Sequence, residues 1–275
     1  MRKNGSGLKV FTLSLIALLF FFYCGGKKED LYPQGATDKV LYDLGMKFMK
    51  KKKYEKAREV LTRLIELYPR SKYAPRAKLA IADSYFKKKD LTNTLMAINE
   101  YQEFLALYPY HPRASYAQYQ IAMCYYRRMR KPGRDQEATL KAIEEFKKVI
   151  EKYPLAEEAK LAKEKLKECR IRYAEHIFGI ANFYFKIKAY RASYQRFKMI
   201  IKDYSEFPKM PEVYYKFSYS AYKIKEMDEA KAYLSKILSD YPRTKWAKKA
   251  KKLLKTIEKE EKHGETKGRK DKRAT

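Results

Sequence analysis

Glycine is scarce. The 275 residues include 10, and between Ala36 and His263 only Gly45, Gly133 and Gly179 occur. A phosphate-cradling loop needs several glycines within a few residues, so it has no place here. The closely spaced turn residues that a sandwich or barrel of hairpins requires are also missing. Cysteine and histidine number 3 each: Cys24, Cys124 and Cys169, and His111, His176 and His263. None stands at zinc-ligand spacing, so no metal is expected. Beyond residue 24 every apolar run is broken by charge. That excludes a multi-span membrane protein.

Basic charge and apolar periodicity are abundant. Lys and Arg number 63 against 33 acids, for a net charge of +30, and 45% of residues are hydrophobic. That apolar share is too large for a disordered polyelectrolyte. An all-α chain remains.

Residues 1–23 carry three bases (Arg2, Lys3 and Lys9), no acid, and an apolar run from Val10 to Tyr23. This is the pattern of an export signal, and the run is short for a spanning helix, which needs about 20 residues. Cys24 closes the run. It resembles the lipid-bearing cysteine of bacterial lipoproteins, although Tyr23 and Phe21 stand where that pattern has a small residue and a leucine. Two readings stay open, lipidation of Cys24 and an uncleaved N-terminal anchor. Residues 24–36 read as a linker. A basic body facing an anionic leaflet supplies the second signal that lipid anchoring usually needs. An exported chain does not meet nucleic acid, so no nucleic-acid partner is expected.

A repeat fills the rest. Tyr-Pro recurs at Tyr68-Pro69, Tyr108-Pro109, Tyr153-Pro154 and Tyr241-Pro242, with Tyr204-Ser205 in the remaining place. Each follows a run of a small residue, a large one four later and another three later. These are Ala57/Leu61/Leu64, Ala97/Tyr101/Phe104, Ala142/Phe146/Val149, Ser193/Phe197/Ile200 and Ala230/Leu234/Ile237. Such spacing makes one face of an α-helix. A partner helix lies upstream of each, marked by Gly45, Ala82, Ala122, Ala181 and Ser218. This pattern is similar to the tetratricopeptide repeat. It predicts an all-α superhelix of about five helix pairs with a concave groove, in two lobes joined by a long helix. Residues 37–154 hold repeats 1–3. Residues 155–257 hold the long helix, over about 155–188, and repeats 4–5. Residues 258–275 read as a basic disordered tail. Longer inter-helix loops are expected around Asn93 and over 127–136.

The first helix of each pair should line the groove. In repeats 1–3 its candidate peptide-binding residues are Tyr42, Met46, Met49, Leu79, Asp83, Phe86, Tyr119, Met123 and Tyr126. Five residues after each small residue stands a cation: Lys50, Lys87, Arg127, Lys186 and Lys223. Two readings of this ladder are open. It grips acidic groups, the first three in the substrate groove, or it answers the negative ends of helix dipoles. The basic loop Arg127–Arg134 faces lipid headgroups or an acidic partner, or is simply solvated.

Three stretches go beyond the generic repeat. They are Leu105-Ala-Leu-Tyr-Pro-Tyr-His-Pro112, Gly133-Arg-Asp-Gln136, and Ala174-Glu-His176 followed by Phe183-Tyr-Phe-Lys186. Together with the signal and the long helix they make the chain resemble the BamD (ComL) family of outer-membrane β-barrel assembly lipoproteins. The resemblance implies a scaffold without enzymatic activity or cofactor, lipid-anchored on the periplasmic face of the outer membrane. It implies partners: the barrel-forming subunit BamA, other subunits of the assembly machinery, and unfolded outer-membrane β-barrel proteins. It also places Arg196, just before Phe197, at the family's position for pairing with a BamA carboxylate; the residue-level alternative is a solvated base. Another exported tetratricopeptide adaptor lipoprotein of the cell envelope is the competing function.

Overall fold

The computed structural model describes residues 31–271, with side chains as far as His263. The export signal 1–23, Cys24 and the start of the 24–36 linker lie outside the described residues. Among the described residues all regular structure is helical. The eleven helices are α1 (Asp38–Lys50), α2 (Tyr54–Leu67), α3 (Ala74–Lys87), α4 (Leu91–Leu107), α5 (Ala114–Arg128), α6 (Glu137–Lys152), α7 (Glu157–Lys186), α8 (Tyr190–Asp203), α9 (Met210–Lys223), α10 (Met227–Asp240) and α11 (Lys245–Asp271).

The second helices of the repeats are α2, α4, α6, α8 and α10. All fifteen of their predicted core positions, from Ala57 to Ile237, have 0% exposure. A helix presenting such a stripe is stable only against neighbours, because isolated helices of this length are marginal in water. Each of these helices ends at its tyrosine (Tyr68, Tyr108, Tyr153, Tyr204 and Tyr241), with φ from −131° to −137° and ψ from 46° to 59°. The tyrosine amide donates to the carbonyl four residues back at 2.8–3.0 Å, and its carbonyl accepts from the amide three residues on at 2.9–3.1 Å. A following proline excludes the helical region at the residue before it. Tyr204 precedes Ser205 and takes the same geometry, so the turn belongs to the repeat and proline only reinforces it.

The small residues of the first helices are the points of close approach. Ala82, Ala122, Ala181 and Ser218 are 0% exposed. At Gly45 an added Cβ would lie 2.5 Å from Leu61 Cδ2. The return turns of the first, fourth and fifth pairs place Lys52, Lys188 and Lys225 at φ of 57°, 62° and 72°. Their neighbours close the helix ends, as Ala189 N donates to Tyr184 O at 3.0 Å and Glu226 N to Ala221 O at 2.9 Å. This is the left-handed helix-ending motif, here with lysine where glycine is commonest.

The chain falls into two compact units that meet in sequence between Tyr85 and Phe86. In residues 31–85, α1, α2 and most of α3 enclose a core that includes Leu41, Leu61, Leu64, Ala74 and Ile81. In residues 86–271, one core gathers Phe178, Phe197, Phe217, Leu234 and Ile257, and another Phe146, Val149 and Cys169. The sequence reading put its lobe boundary at the long helix instead. That helix, α7, runs unbroken for 30 residues through Gly179, about 45 Å at 1.5 Å per residue. It packs against both α6 and α8, so it is internal to the second unit.

Two expectations about loops need correction. Asn93 is not in a loop. Asp90 caps α4 by accepting from Asn93 N at 2.9 Å, and the extra residues of repeat two become helix, giving 17 residues against 14 in α2, α8 and α10. Likewise the chain from 258 continues α11 to Asp271, where Glu260 accepts from Tyr222 Oη at 2.7 Å and Glu261 pairs with Lys231 Nζ at 2.8 Å.

Candidate functional site

The loop of repeat three is shorter than its sequence suggested, because Arg127 and Arg128 complete α5 and the chain leaves the helix at Met129. Gln136 builds the loop. Its side chain is 5% exposed. Nε2 donates to the carbonyls of Lys131 at 3.0 Å and Arg134 at 2.9 Å, while Oε1 accepts from Thr139 Oγ1 at 2.8 Å. A buried amide is tolerated when its bonds are made. The Gly-Arg-Asp-Gln stretch is thus a loop pinned from inside.

The loop rests on α7. Arg172 donates to Arg130 O at 3.2 Å, and His176 Nδ1 lies 2.6 Å from Pro132 O. A carbonyl only accepts, so Nδ1 carries the proton there. Tyr173 stacks on the imidazole at 5.9 Å and 29°. The loop and α7 border an open cleft of about 760 Å³. Its apolar floor is Phe178, Gly179, Ile180 and Phe183, with Pro132, Gly133 and His176 on one side and Glu175, Asn182 and Lys209 among the others.

Two features suit the cleft to a ligand side chain. Gly179 is exposed, and a Cβ there would meet nothing within 4 Å. Phe183 is 59% exposed, a large aromatic surface kept in a concave place. Polar groups fix the margin: Lys209 Nζ bonds Glu175 Oε1 at 2.5 Å, and Lys216 Nζ bonds Asn182 Oδ1 at 2.5 Å and Glu212 Oε1 at 2.6 Å. Exposed ion pairs contribute little stability; here they orient the rim. Behind the cleft, Arg170 clamps Glu206 and the carbonyl of Asp203. Burial pushes the Tyr204 phenol up to about 12.

The candidate groove residues divide. Leu79 is 5% exposed and belongs to the buried core. Leu79 is therefore a packing residue and not a groove residue, although Tyr42 and Tyr119 at the equivalent places keep a partly open face. Tyr42 stacks on Tyr73 at 4.9 Å, and Tyr42 and Met46 edge the core of the first unit. Met49 and Asp83 are half-buried. In the second unit Tyr119 and Tyr126 pack on Phe146 at 5.8 and 6.2 Å, with Met123 half-buried beside the same core. Tyr126 Oη donates to Glu168. Phe86 is half-buried under the guanidinium of Arg127, 4.3 Å from its ring centre. These side chains combine packing with a partly open face.

The cation ladder stands where helices end. Lys50, Lys87, Arg127, Lys186 and Lys223 each lie in the last turn of a first helix, where a cation answers the helix dipole. Arg127 also donates to Phe86 O at 2.8 Å. Arg196 is exposed, reaches Met199 Sδ at 3.7 Å and has no ion pair among the described residues. His111 accepts from Arg113 N at 3.0 Å and packs edge-on to Phe104 at 5.4 Å, so the first of the three stretches closes a turn. The other two meet in the cleft.

Sequence reasoning missed the cleft itself. Its signal was available: Gly179 and Phe183 stand four residues apart on a face that a solvated helix would fill with charge, and both are exposed. Cys124 and Cys169 are 0% exposed, and burial pushes both thiols up to about 12. Among the described residues no group of His, Cys, Asp or Glu is placed to hold a metal, and no helix is long and apolar enough to cross a membrane.

Residues 34–232 match the model of the YfiO family, described as outer membrane lipoprotein. The outer membrane protein assembly factor BamD of Rickettsia prowazekii (strain Madrid E) is 29% identical over 252 residues, 91% of this chain and 98% of that one. The factor of the same name from Caulobacter vibrioides is 26% identical over 233 residues, 84% of this chain and 75% of that one. Among solved structures, the TPR2AB domain of yeast Sti1 overlaps 81% of this chain with a TM-score of 0.42 and 17% identity. The fold assignment stands on the helix pairs themselves.

Proposed function

Because the chain belongs to the YfiO family of outer membrane lipoproteins, we propose that it is a non-catalytic assembly factor for outer-membrane β-barrel proteins. In this reading it is held at the periplasmic face of the outer membrane by lipid on Cys24. It joins the machinery through BamA, with the cleft of α7 and the Arg196 guanidinium as its contacts. Unfolded barrel proteins meet the partly open aromatic and thioether side chains of the first helices: Tyr42, Met46 and Met49 in the first unit, Phe86, Met123 and Tyr126 in the second. Methionine suits this role because it adapts to many sequences.

One observation carries the reading. Two of the stretches that set this sequence apart from a generic repeat come together, with His176 bonded to Pro132 just before Gly133, and Gly133 of one and His176 and Phe183 of the other line one apolar cleft with that phenylalanine exposed. Packing alone gives no reason to leave that ring open.

The test is co-purification from the native envelope in mild detergent. The full chain should bring down BamA. Gly179→Trp fills the cleft from a position with open space, and Arg196→Glu reverses an exposed charge. Both should fold and capture at least tenfold less BamA. Capture equal to the parent chain in both variants would remove the cleft and Arg196 from the interface. Absence of BamA from the parent preparation, with some other envelope protein in its place, would overturn the function itself.

A further inference from the structure

Helix α11 has an uncompensated basic face. From Tyr241 to Ile257 the sequence contains Arg243, Lys245, Lys248, Lys249, Lys251, Lys252 and Lys255, and no acid; acids begin with Glu258, Glu260 and Glu261 around Lys259. The opposite face is committed to packing, since Ala247, Ala250, Leu253 and Ile257 are buried in the core of the second unit against α9 and α10. Lys248, Lys252, Lys255 and Lys259 follow one another by four, three and four residues. At 100° per residue they form a single stripe directly opposite that buried face, roughly 16 Å long. All four are exposed and none has an ion pair among the described residues. On other helices some lysines are paired along their own helix, as Lys141 and Lys148 are with Glu144, and Lys165 with Glu168; the exposed lysines without an ion pair there, such as Lys147 and Lys163, do not line up as a stripe of four. Lys245 and Lys249 flank the stripe and lie over Trp246, 5.2 and 4.8 Å from its ring centre.

We infer that the Lys248–Lys252–Lys255–Lys259 face of α11 is a docking surface for a bilayer carrying anionic headgroups. The chemistry favours lipid over an acidic protein. The stripe has one sign, no apolar centre and no pocket, whereas the cores of protein interfaces are depleted in lysine. Lysine is a flexible point charge without preferred planar geometry, suited to a fluid array of phosphates. Membership of an outer membrane lipoprotein family puts such an array within reach. The inference rests on that membership and not on the proposed contact with BamA.

The attraction is about five-fold in affinity per lysine near the surface, at roughly 1 kcal/mol each. It acts within a Debye length, about 10 Å at 0.1 M salt. The full chain is bound to vesicles of phosphatidylcholine alone or with phosphatidylglycerol, and its amines are acetylated and mapped by mass spectrometry. Lys248, Lys252, Lys255 and Lys259 should react at least five-fold more slowly on the anionic vesicles. Lys147, Lys163, Lys167 and Lys202, exposed on other helices, should react equally on both. In 1 M salt the difference should vanish. A variant with all four stripe lysines changed to glutamine should bind anionic vesicles at least tenfold more weakly than the parent chain and neutral vesicles equally. Equal rates on the two vesicles, or equal slowing of the stripe and control lysines, would overturn the assignment. So would protection that appears only when envelope proteins are added, which would assign the stripe to an acidic protein partner.

Discussion

The same substitution, glycine to alanine, should have opposite effects at two places in this chain. Alanine is favoured over glycine in a helix interior by about 1 kcal/mol. At Gly179 nothing offsets that gain, since the new methyl meets no atom within 4 Å. At Gly45 the methyl would lie 2.5 Å from Leu61 Cδ2 and 2.6 Å from its Cγ, against about 3.5–4.0 Å for unstrained carbon contacts. Leu61 is fully buried with Val60 and Leu64 and cannot swing away, so overpacking costs about 1–3 kcal/mol. Gly45→Ala should therefore lose up to about 2 kcal/mol while Gly179→Ala gains about 1. The two positions lie in different compact units, so a single melting curve would mix their effects. Peptide-resolved hydrogen exchange separates them. Amides of α1 and α2 should exchange faster in Gly45→Ala, and amides of α7 several-fold slower in Gly179→Ala, since 1–2 kcal/mol is a factor of about 5–30. Equal or greater protection of α1 in Gly45→Ala would refute the close approach of α1 and α2 on which the repeat reading rests.

Three further outcomes follow from single groups. Ser218 Oγ is buried without a hydrogen-bond partner among the described residues, so Ser218→Ala should stabilise the second unit by roughly 1 kcal/mol in urea denaturation; a loss instead would mean the hydroxyl is satisfied. Cys124 and Cys169, with thiols pushed up to about 12 by burial, should resist maleimide at pH 8 in the native chain and label fully in denaturant. Rapid native labelling mapped to either would contradict their placement. Glu229 bonds Lys198 at 2.7 Å and accepts from Tyr194, and the Lys198 bond holds its carboxyl below the usual carboxylate range. A depressed carboxyl contributes stability that is full above its unfolded value near 4.3 and lost as pH falls through the lower folded value. Glu229→Gln should therefore flatten part of the acid limb of stability below about pH 4 and leave the neutral region's pH dependence unchanged; an unaltered acid limb would rule the pair out as a contributor.

Most of the packing was legible in the sequence because the repeat states it five times. The small–large–large stripe of each second helix and the tyrosine that ends it depend only on helical periodicity and a turn. What escaped depends on contacts between residues far apart in the chain. Leu79 carries the same local signal as a groove residue, and only its tertiary neighbours turn it inward. Asn93 reads as a loop former, yet Asp90 caps it into helix. The cation ladder stands at helix ends, where both of its readings place it. The cleft needed Gln136 to pin a loop from inside and Arg172 and His176 to hold that loop on α7, and no periodicity within either element announces that meeting. The division between Tyr85 and Phe86 was not legible for a related reason: it falls inside α3, where no breaker in the sequence marks it.

The most direct test of the account places a photoreactive amino acid at Phe183, in the full chain in its native envelope, and identifies what it captures on illumination. The ring is 59% exposed, so the replacement leaves folding intact. A covalent adduct with BamA is expected from position 183 and none from exposed Lys160, on the N-terminal stretch of the same helix. Adducts with lipid alone, or the same proteins captured from both positions, would contradict it.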